Sequence, residues 1–554
     1  MAEDKKNEQV VPEELDQLRH RREKLEALTE AGMVAYPARP RNYYADYRLK
    51  IGELLASLDR LLRLKRHVII TGRVTSIRDH GKSMFVDLRD GSGHIQLYIS
   101  SKQNESYGEI ERLAPDNKLE QLYLVQRYDD AMGMLRNADL GDIIMVTGVP
   151  FLTRKGQPTV GIRYVEMLAK ALRPMPVVKE TVDEDGKVER HDELADVELR
   201  YRQRYLDLFL NPQSRNRFTQ RSLMTTAMRS FLEERGFLEV ETPILQPIYG
   251  GAAAAPFTTH HNTLDIPLYL RIADELYLKR LIVGGFERVY EIGKDFRNEG
   301  MDRTHNPEFT QCELYQAYAD YHDMAGLFEE LCRSLAVKLT GSAVVEYQGQ
   351  TLDFEQAFKR LEVLPMLEEW TETDLGYNDE ELKEKGEFNR TAILKLAKER
   401  GIELPDHAPT GKYIMELFET IAEEKGELTQ PCFVMDFPAD VSPLAKQLPG
   451  DPRLAERFEP YAAGMELGNA FSEQNDPRVQ RSVLEEQVRQ RDLGDEEASV
   501  VDEDFLRALE YGMPPTGGLG IGVDRLAMLF TDAASIQDVI LFPQMRPLKQ
   551  KISE

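Results

Sequence analysis

Between Glu13 and Ala31 apolar residues recur near helical spacing, with Leu15, Leu18, Leu25 and Leu28 as the repeating positions and Gly32 as a stop, so the pattern predicts a helix. It reads as an appendage. From His67 the period drops to two. The β-branched run Val68-Ile69-Ile70-Thr71-Gly72-Arg73-Val74 predicts a strand, and Met84 to Leu88 meets Ile95 to Ile99 across the turn-forming Asp90-Gly91-Ser92-Gly93. Further strands over Ile143 to Phe151 and Thr159 to Leu168 complete a small Greek-key barrel of the OB type, interrupted by a helical stretch between Glu109 and Arg136.

Between Leu172 and Glu198 the chain is Pro-bearing and charged, without periodicity, and reads as a linker. Beyond it Met224, Ala227, Met228, Phe231 and Leu232 follow the i, i+3, i+4, i+7, i+8 rule, and Gly236 ends that helix. The rest alternates strands and helices as an antiparallel α+β domain. The expected organisation is a helical extension over 1–64, an OB barrel over 65–172, a linker over 173–205 and an α+β domain over 206–554, with a charged helical insertion over about 364–426.

A chain of 554 residues is too long for one ordinary core, which agrees with this division. No run approaches the roughly 20 apolar residues of a membrane span, and Met1 to Leu15 is polar rather than an apolar leader, so a cytoplasmic protein without a membrane partner is expected. Cys312, Cys332 and Cys432 stand far apart, so any metal must be held by oxygen ligands. The formal charge of -26 argues against a generic nucleic-acid binder. Basic residues do cluster, at Arg19, Arg21, Arg22 and Lys24 and again at Arg60, Arg63, Lys65 and Arg66, and each cluster is also what a solvated helix face looks like.

The chemistry concentrates in three segments. Arg288 to Gly300 and His305 to Tyr315 read as two antiparallel strands joined by a polar loop, with Arg297 and Glu299 on one face of the first and Phe309, Glu313 and Tyr315 on one face of the second. Such a surface makes a poor apolar core and a good polar site. In Met465 to Glu473 the same parity sends Asn469, Phe471 and Glu473 one way, and the turn Tyr461-Ala462-Ala463-Gly464 sets Glu459 beside Glu466. Paired carboxylates without basic neighbours are what Mg²⁺ bridging phosphates needs, although solvent-facing glutamates look the same in sequence. Third, Gly517-Gly518-Leu519-Gly520-Ile521-Gly522 precedes a helix carrying Arg525. Its spacing is not that of a dinucleotide fingerprint, and close strand-helix packing explains it equally well.

These segments resemble motifs 2 and 3 of the class II aminoacyl-tRNA synthetases, and Gly236-Phe237-Leu238-Glu239-Val240-Glu241-Thr242-Pro243 resembles motif 1. Gly250-Gly251-Ala252-Ala253-Ala254, Tyr269-Leu270-Arg271-Ile272-Ala273 and Glu466-Leu467-Gly468-Asn469 narrow the resemblance to the lysine-specific members, over the barrel and everything after it. The resemblance implies ATP, L-lysine and tRNA(Lys) as substrates, Mg²⁺ as cofactor and a homodimer. It gives Arg297 the α-phosphate and substrate carboxylate, Phe309 and Arg525 the adenine, and Glu299, His305 and Asn306 further ATP contacts. Glu459 and Glu466 hold Mg²⁺. Gly251 and Glu275 meet the α-amine, while Glu313, Tyr315, Asn469, Phe471 and Glu473 surround the side chain. Phe85 and Gln96, with Arg78 beside them, face anticodon bases, although Phe85 fits a barrel core equally well by pattern.

That division suits the chemistry, because adenylation needs charge stabilisation at the α-phosphate and an oriented nucleophile rather than a protein nucleophile. Two pocket carboxylates with no Arg or Lys of their own select a cation. Leaving such a buried carboxylate unpaired costs ~3 to 5 kcal/mol, which rejects uncharged isosteres. A basic residue in the pocket points instead to aspartate or asparagine on the same fold, and loss of an adenylate residue to an inactive RNA-binding relative. Class I signatures such as His-Ile-Gly-His are absent. Two segments depart from the family pattern: Arg303-Thr304-His305-Asn306 in the motif 2 loop, and Gly156-Gln157-Pro158 late in the barrel.

Overall fold

Alternate residues of the early strands turn inward. Val68, Ile70 and Val74 of β1 (Val68–Asp79), Met84, Val86 and Leu88 of β2 (Ser83–Arg89) and Ile95, Leu97 and Ile99 of β3 (His94–Ser100) are all buried. The computed structural model describes residues 12–39, 48–101, 110–113, 119–122, 128–175, 179–182, 188–191, 194, 196–405, 408–492 and 500–548. The chain divides into two units, Met1–Asp196 and Val197–Glu554.

In the first unit β4 (Ile110–Leu113) and β5 (Leu119–Leu122) form a hairpin, and β6 (Ile143–Leu152) and β7 (Pro158–Ala169) complete a closed barrel in the order β1-β2-β3-β7-β6. The β3–β7 pair is parallel and the others are antiparallel. The β4–β5 hairpin corrects the helical stretch expected from Glu109, since the helix, α4, spans only Tyr128–Arg136. Leucines in four-residue runs fit either period. Glu109 itself lies outside the described residues.

Helix α1 (Pro12–Glu30) is no appendage. Its Leu28 is buried in the core that also holds Ile51 and Leu54 of α2 (Ile51–Ala56) and the inward residues of the barrel; α3 (Leu58–Leu64) follows. Nor is its basic cluster all solvated. Arg21 is buried and donates to the carbonyls of Leu140 and Ala171, and Lys24 Nζ pairs with Asp139 at 2.6 Å. Behind them Lys170, with no exposed side-chain surface, reaches Asp139 at 2.6 Å and Asp142 at 2.8 Å. By contrast Arg60, Arg63, Lys65 and Arg66 are exposed. The segment read as an aperiodic linker contains a second hairpin, β8 (Lys179–Val182) with β9 (Val188–His191), and the start of α5 (Val197–Arg202). Short polar strands lack the apolar alternation that reveals a strand in sequence.

The second unit continues with α6 (Arg204–Leu210), α7 (Pro212–Glu233), β10 (Leu238–Glu239), β11 (Leu245–Gln246), β12 (Thr258–His261), β13 (Ile266–Leu270), α8 (Glu275–Val283), β14 (Arg288–Phe296), β15 (Glu308–Ala317) and α9 (Tyr321–Thr340). A hairpin of β16 (Val344–Tyr347) and β17 (Gln350–Asp353) leads to β18 (Lys359–Glu362). The insertion follows as α10 (Val363–Thr371), α11 (Glu380–Lys385), α12 (Arg390–Glu399) and α13 (Thr410–Lys425). The chain then returns as β19 (Cys432–Pro438), β20 (Gln447–Leu448), β21 (Asp451–Ala462), β22 (Met465–Glu466), β23 (Gly468–Ser472), α14 (Pro477–Asp492), α15 (Glu503–Glu510), β24 (Thr516–Gly522) and α16 (Val523–Phe530).

The main sheet runs β10-β14-β15-β24-β23-β21-β19-β18, with β20 and β22 paired to β21. It is antiparallel apart from the outermost pairs β10–β14 and β18–β19. One face is apolar: Tyr290, Cys312, Leu314, Leu519, Ile521 and Ala470 pack with Phe328 and Leu331 of α9 and Leu526 of α16. The period-two rule therefore leaves residues 309, 311, 313 and 315 of β15, 469 and 471 of β23 and 518 and 520 of β24 for the opposite face.

Lys170→Met should leave Asp142 buried and short of its counter-charge. We expect a loss of about 3 to 5 kcal/mol in the free energy of opening β6 and β7, measured by native-state amide hydrogen exchange.

Candidate active site

The polar face of the sheet forms the floor of a cavity of about 380 Å³. Its wall is built from β15, β21, β23 and β24 together with Gly251, Glu275 and the Arg297–Asn306 loop. Of the residues singled out in the second unit, Gly251, Glu275, Arg297, Glu299, His305, Asn306, Phe309, Glu313, Tyr315, Glu459, Glu466, Asn469, Phe471 and Arg525 all line this one cavity. Glu473 does not line it. Its side chain is fully buried on the same polar face of the sheet, against Gly518, where a Cβ would collide with Glu473 Oε1 and fall 2.7 Å from the Tyr315 ring. Close approach of a carboxylate, rather than strand-helix packing, is what this glycine serves.

At one end lie the residues read as nucleotide contacts. Arg297 and Glu299 sit beyond the end of β14, not on one strand face as expected; the backbone leaves the sheet at Phe296, although Arg297 N still donates to Pro307 O at 2.9 Å. The Arg297 guanidinium lies 5.1 Å from the Phe309 ring centroid, and its buried Nε has no hydrogen-bond partner among the described residues. Arg525 Nη2 approaches His305 Nε2 at 3.0 Å, and His305 Nδ1 lies 2.8 Å from Asp302. Because a guanidinium only donates, Nε2 is the acceptor and Nδ1 carries the proton that Asp302 accepts. Asp524, next to Arg525, plays a structural part instead. It accepts from Thr310 N at 2.7 Å and pairs with Arg221, tying α16 to β15 and α7.

Glu459 and Glu466 sit on paired strands, joined through Ala463 and Gly464, which both take positive φ (52° and 71°) as a tight hairpin turn requires. They are not free of basic neighbours, which corrects the sequence reading. Arg457 Nη2 donates to Glu459 Oε1 at 2.7 Å, and Arg525 Nη1 to Glu466 Oε2 at 3.0 Å. Burial, then the charge of Glu466, push Glu459 up to about 7, with Arg457 acting the other way. The two carboxylates still repel one another despite the arginines. Relief of that repulsion is what a divalent cation offers, and an oxygen-only donor set suits Mg²⁺.

The other end is acidic. Glu313 accepts from Tyr315 OH at 3.0 Å and Gln311 Nε2 at 3.1 Å. Behind it lie Asp274, Asp295 and Arg271, whose guanidinium reaches Glu291 at 2.6 Å and Asp295 at 3.1 Å. Burial, then the charge of Asp295, push Asp274 up to about 8; burial, then Asp274, raise Glu313 well above the ordinary carboxyl range. One ligand atom from each of Asp274, Asp295 and Glu313 lies within 4.8 Å of the others. With Arg271 already bonded to Asp295, the trio resembles carboxyls sharing protons more than a metal cage.

Two cations escape the sequence reading. Lys279, fully buried, pairs with both Glu275 and Glu473, so these carboxylates do have a lysine of their own. A signal for it exists: Glu275, Leu278, Lys279 and Ile282 fall at i, i+3, i+4 and i+7, which puts Lys279 on the buried face of α8. Arg457 likewise shares strand parity with Glu459, and its Nε donates to Asn469 Oδ1 at 2.9 Å.

On the barrel, Phe85 points outward, because its neighbours Met84 and Val86 fill the core. It packs on Tyr98 with ring centroids 4.7 Å apart, and Tyr98 on Phe151 at 6.1 Å. Arg78, exposed, pairs with Asp87 at 3.0 Å; Gln96 shares this face by strand parity but is buried, its Oε1 accepting from Thr159 Oγ1 at 3.2 Å.

Residues 196–546 match the family model described as tRNA synthetases class II (D, K and N), and residues 68–174 match that of an OB-fold nucleic acid binding domain. A lysine–tRNA ligase of Roseiflexus castenholzii is 48% identical over 536 residues, covering 96% of this chain and 99% of the relative. That of Carboxydothermus hydrogenoformans is 46% identical over 97% and 99%, and that of Moorella thermoacetica 45% over 97% and 99%. The chain belongs to the class II lysyl-tRNA synthetase family. A buried lysine in the acidic chamber is therefore compatible with membership of the lysine branch, and does not on its own point to aspartate or asparagine. In this synthetase Lys279 is balanced by two carboxylates, and Glu313 has no ion-pair partner among the described residues.

Unfolded Asp274 titrates near 3.8 and the folded group near 8, so between these values the native state holds the extra proton and stability falls as pH rises. Asp274→Asn should raise the melting temperature over the parent by more at about pH 8.5 than at about pH 5, read by differential scanning calorimetry.

Proposed function

We propose that the protein is a lysine–tRNA ligase that activates L-lysine with ATP, releasing pyrophosphate, and then transfers lysine to the 3′ end of tRNA(Lys), releasing AMP. The supporting observation is one cavity with an arginine-and-aromatic end and a carboxylate end. A carboxylate oxygen of lysine attacks the α-phosphorus while its bond to the pyrophosphate oxygen breaks in line. In the second step a terminal hydroxyl of the tRNA attacks the acyl carbon and AMP departs. Both steps build charge on phosphoryl or acyl oxygens, so fixed cations and orientation are the useful contributions.

In this reading Arg297 neutralises the α-phosphate and aligns the lysine carboxylate, Phe309 and Arg525 flank the adenine, and Glu299, His305 and Asn306 hold the rest of ATP. Glu459 and Glu466 hold Mg²⁺, which offsets triphosphate charge when bound. Gly251 and Glu275 take the α-amine. Glu313, Tyr315, Asn469, Phe471 and Glu473 surround the side chain, and a chamber richer in carboxylates than in cations attracts a second ammonium.

The outer barrel face with Phe85, Gln96 and Arg78 takes anticodon bases, supported by a ring surface turned away from the core. A homodimer and a cytoplasmic location complete the reading. For the dimer the support is apolar: Leu238, Ile244, Leu245, Ile248, Leu264 and Ile266 are all exposed on β10 to β13 and their connections.

The direct test is ATP–pyrophosphate exchange with each standard amino acid. Exchange with lysine alone is expected, and exchange with aspartate or asparagine would overturn the reading. For the barrel, Phe85→Ala should lower kcat/KM for tRNA charging by about tenfold, a stacking contribution of ~1 to 3 kcal/mol, and leave pyrophosphate exchange unchanged.

A further inference from the structure

Lys279 is a costly residue for its position. It has no exposed side-chain surface, and the rings of Phe471 and Phe505 lie 5.3 and 5.9 Å from its ammonium. A methionine fills comparable volume without desolvating a charge, so packing alone does not call for a lysine. What the lysine does is visible in how each glutamate uses its two oxygens. Glu275 contacts the ammonium through Oε1, and Glu473 through Oε2. The other oxygen of each is left toward the cavity wall. Glu275 Oε2 lies 3.8 Å from where a Cβ on Gly251 would stand, and Gly251 takes a φ of +91° that leaves this wall without a side chain. Glu473 Oε1 has no hydrogen-bond partner among the described residues and lies against Gly518 and Tyr315, both of which line the cavity.

We infer that Lys279 is a positioning residue that sets the substrate's permitted length: by gripping one oxygen of each carboxylate, its ammonium fixes the separation between the group meeting the α-amine and the group meeting the side-chain amine. This rests on the assignment of Glu275 and Glu473 to the two amines of lysine. An i, i+4 pair on α8 anchors the α-amine end, and the reach of the Lys279 stem across to the end of β23 anchors the other. Ornithine, one methylene shorter, then bonds one end and falls short of the opposite one. Without the bridge the two carboxylates repel and relax independently, and the separation is no longer fixed.

The full-length enzyme carrying Lys279→Met is compared with the parent in pyrophosphate exchange with L-lysine and with L-ornithine. The expected result is a KM for lysine raised tenfold or more, an unchanged KM for ATP, and a lysine-over-ornithine ratio in kcat/KM that narrows at least tenfold. Lys279→Gln, neutral but still a donor, carries the same measurement if the methionine variant does not fold. A variant that binds ATP normally and keeps the parental ratio overturns the proposal, since a purely structural lysine lowers activity toward both amino acids alike. Glu473→Gln separates the two layers. An unmoved KM for lysine in that variant overturns the pocket assignment and the length-setting role with it. A raised KM there, alongside intact discrimination in both Lys279 variants, overturns the role of Lys279 alone.

Discussion

Burying more carboxylates than cations is the constraint around which the second unit is organised. Asp274, Glu275, Glu291, Asp295, Glu313 and Glu473 are all buried, and Arg271 and Lys279 are the buried cations bonded among them. A cavity wall with that imbalance is electrostatically unfinished. The excess is carried as raised proton affinity at Asp274 and Glu313, where burial and neighbouring carboxylates both resist ionisation. An ammonium entering such a chamber lowers that cost where a neutral side chain cannot.

The sheet makes such a chamber tolerable. Because β15, β23 and β24 alternate strictly, the same strands that send Cys312, Leu314, Ala470, Leu519 and Ile521 into a dry core send Glu313, Tyr315, Asn469 and Phe471 into the cavity. Apolar burial on one face offsets the strain of crowded charge on the other. Gly518 lets Glu473 lie close over the polar face of β24, which a side chain at that position would forbid. Gly518 is thus a steric requirement of the acidic pocket.

Period explains what is legible in the sequence. β1, β2, α7 and β23 are readable because burial there follows a period of 2 or 3.6 over long enough runs, whereas β6, β7 and β15 carry continuous buried runs and are legible as strands only by their β-branched, aromatic or alternating residue types. The β4–β5 and β8–β9 hairpins are not, being four-residue strands that carry too few alternations. The site residues are legible as types and positions, but their counter-ions are not. A charged residue beside another charge, as Arg457 follows Glu456 and Lys279 precedes Arg280, reads as solvent-facing, whereas both are tied to carboxylates that line the cavity. Helical spacing does place Lys279 on the buried face of α8 beside Glu275, but its second pair, with Glu473 on a distant segment, leaves no local signature. The same gap shows at α1, where Arg21 and Lys24 look like a solvated face and instead hold the helix to the barrel.

The balance of charge also bears on how a chain of net charge -26 can accept a polyanion. The net charge repels RNA, but its field is screened beyond roughly 8 to 10 Å at physiological salt, so what counts is the local surface. Some of its basic residues are also already committed: Arg21, Lys24 and Lys170 to the barrel's own structure, and Arg78 to Asp87. The exposed Arg60, Arg63, Lys65 and Arg66 are one local feature of that surface, and the outward rings of Phe85, Tyr98 and Phe151 offer a short-range term that is indifferent to net charge. Stacking also discriminates unpaired bases from duplex, because only splayed bases expose their faces. An acidic protein with an aromatic platform is for that reason suited to selecting a single-stranded loop over bulk nucleic acid. The negative charge that weakens binding to any phosphate backbone is then part of the specificity.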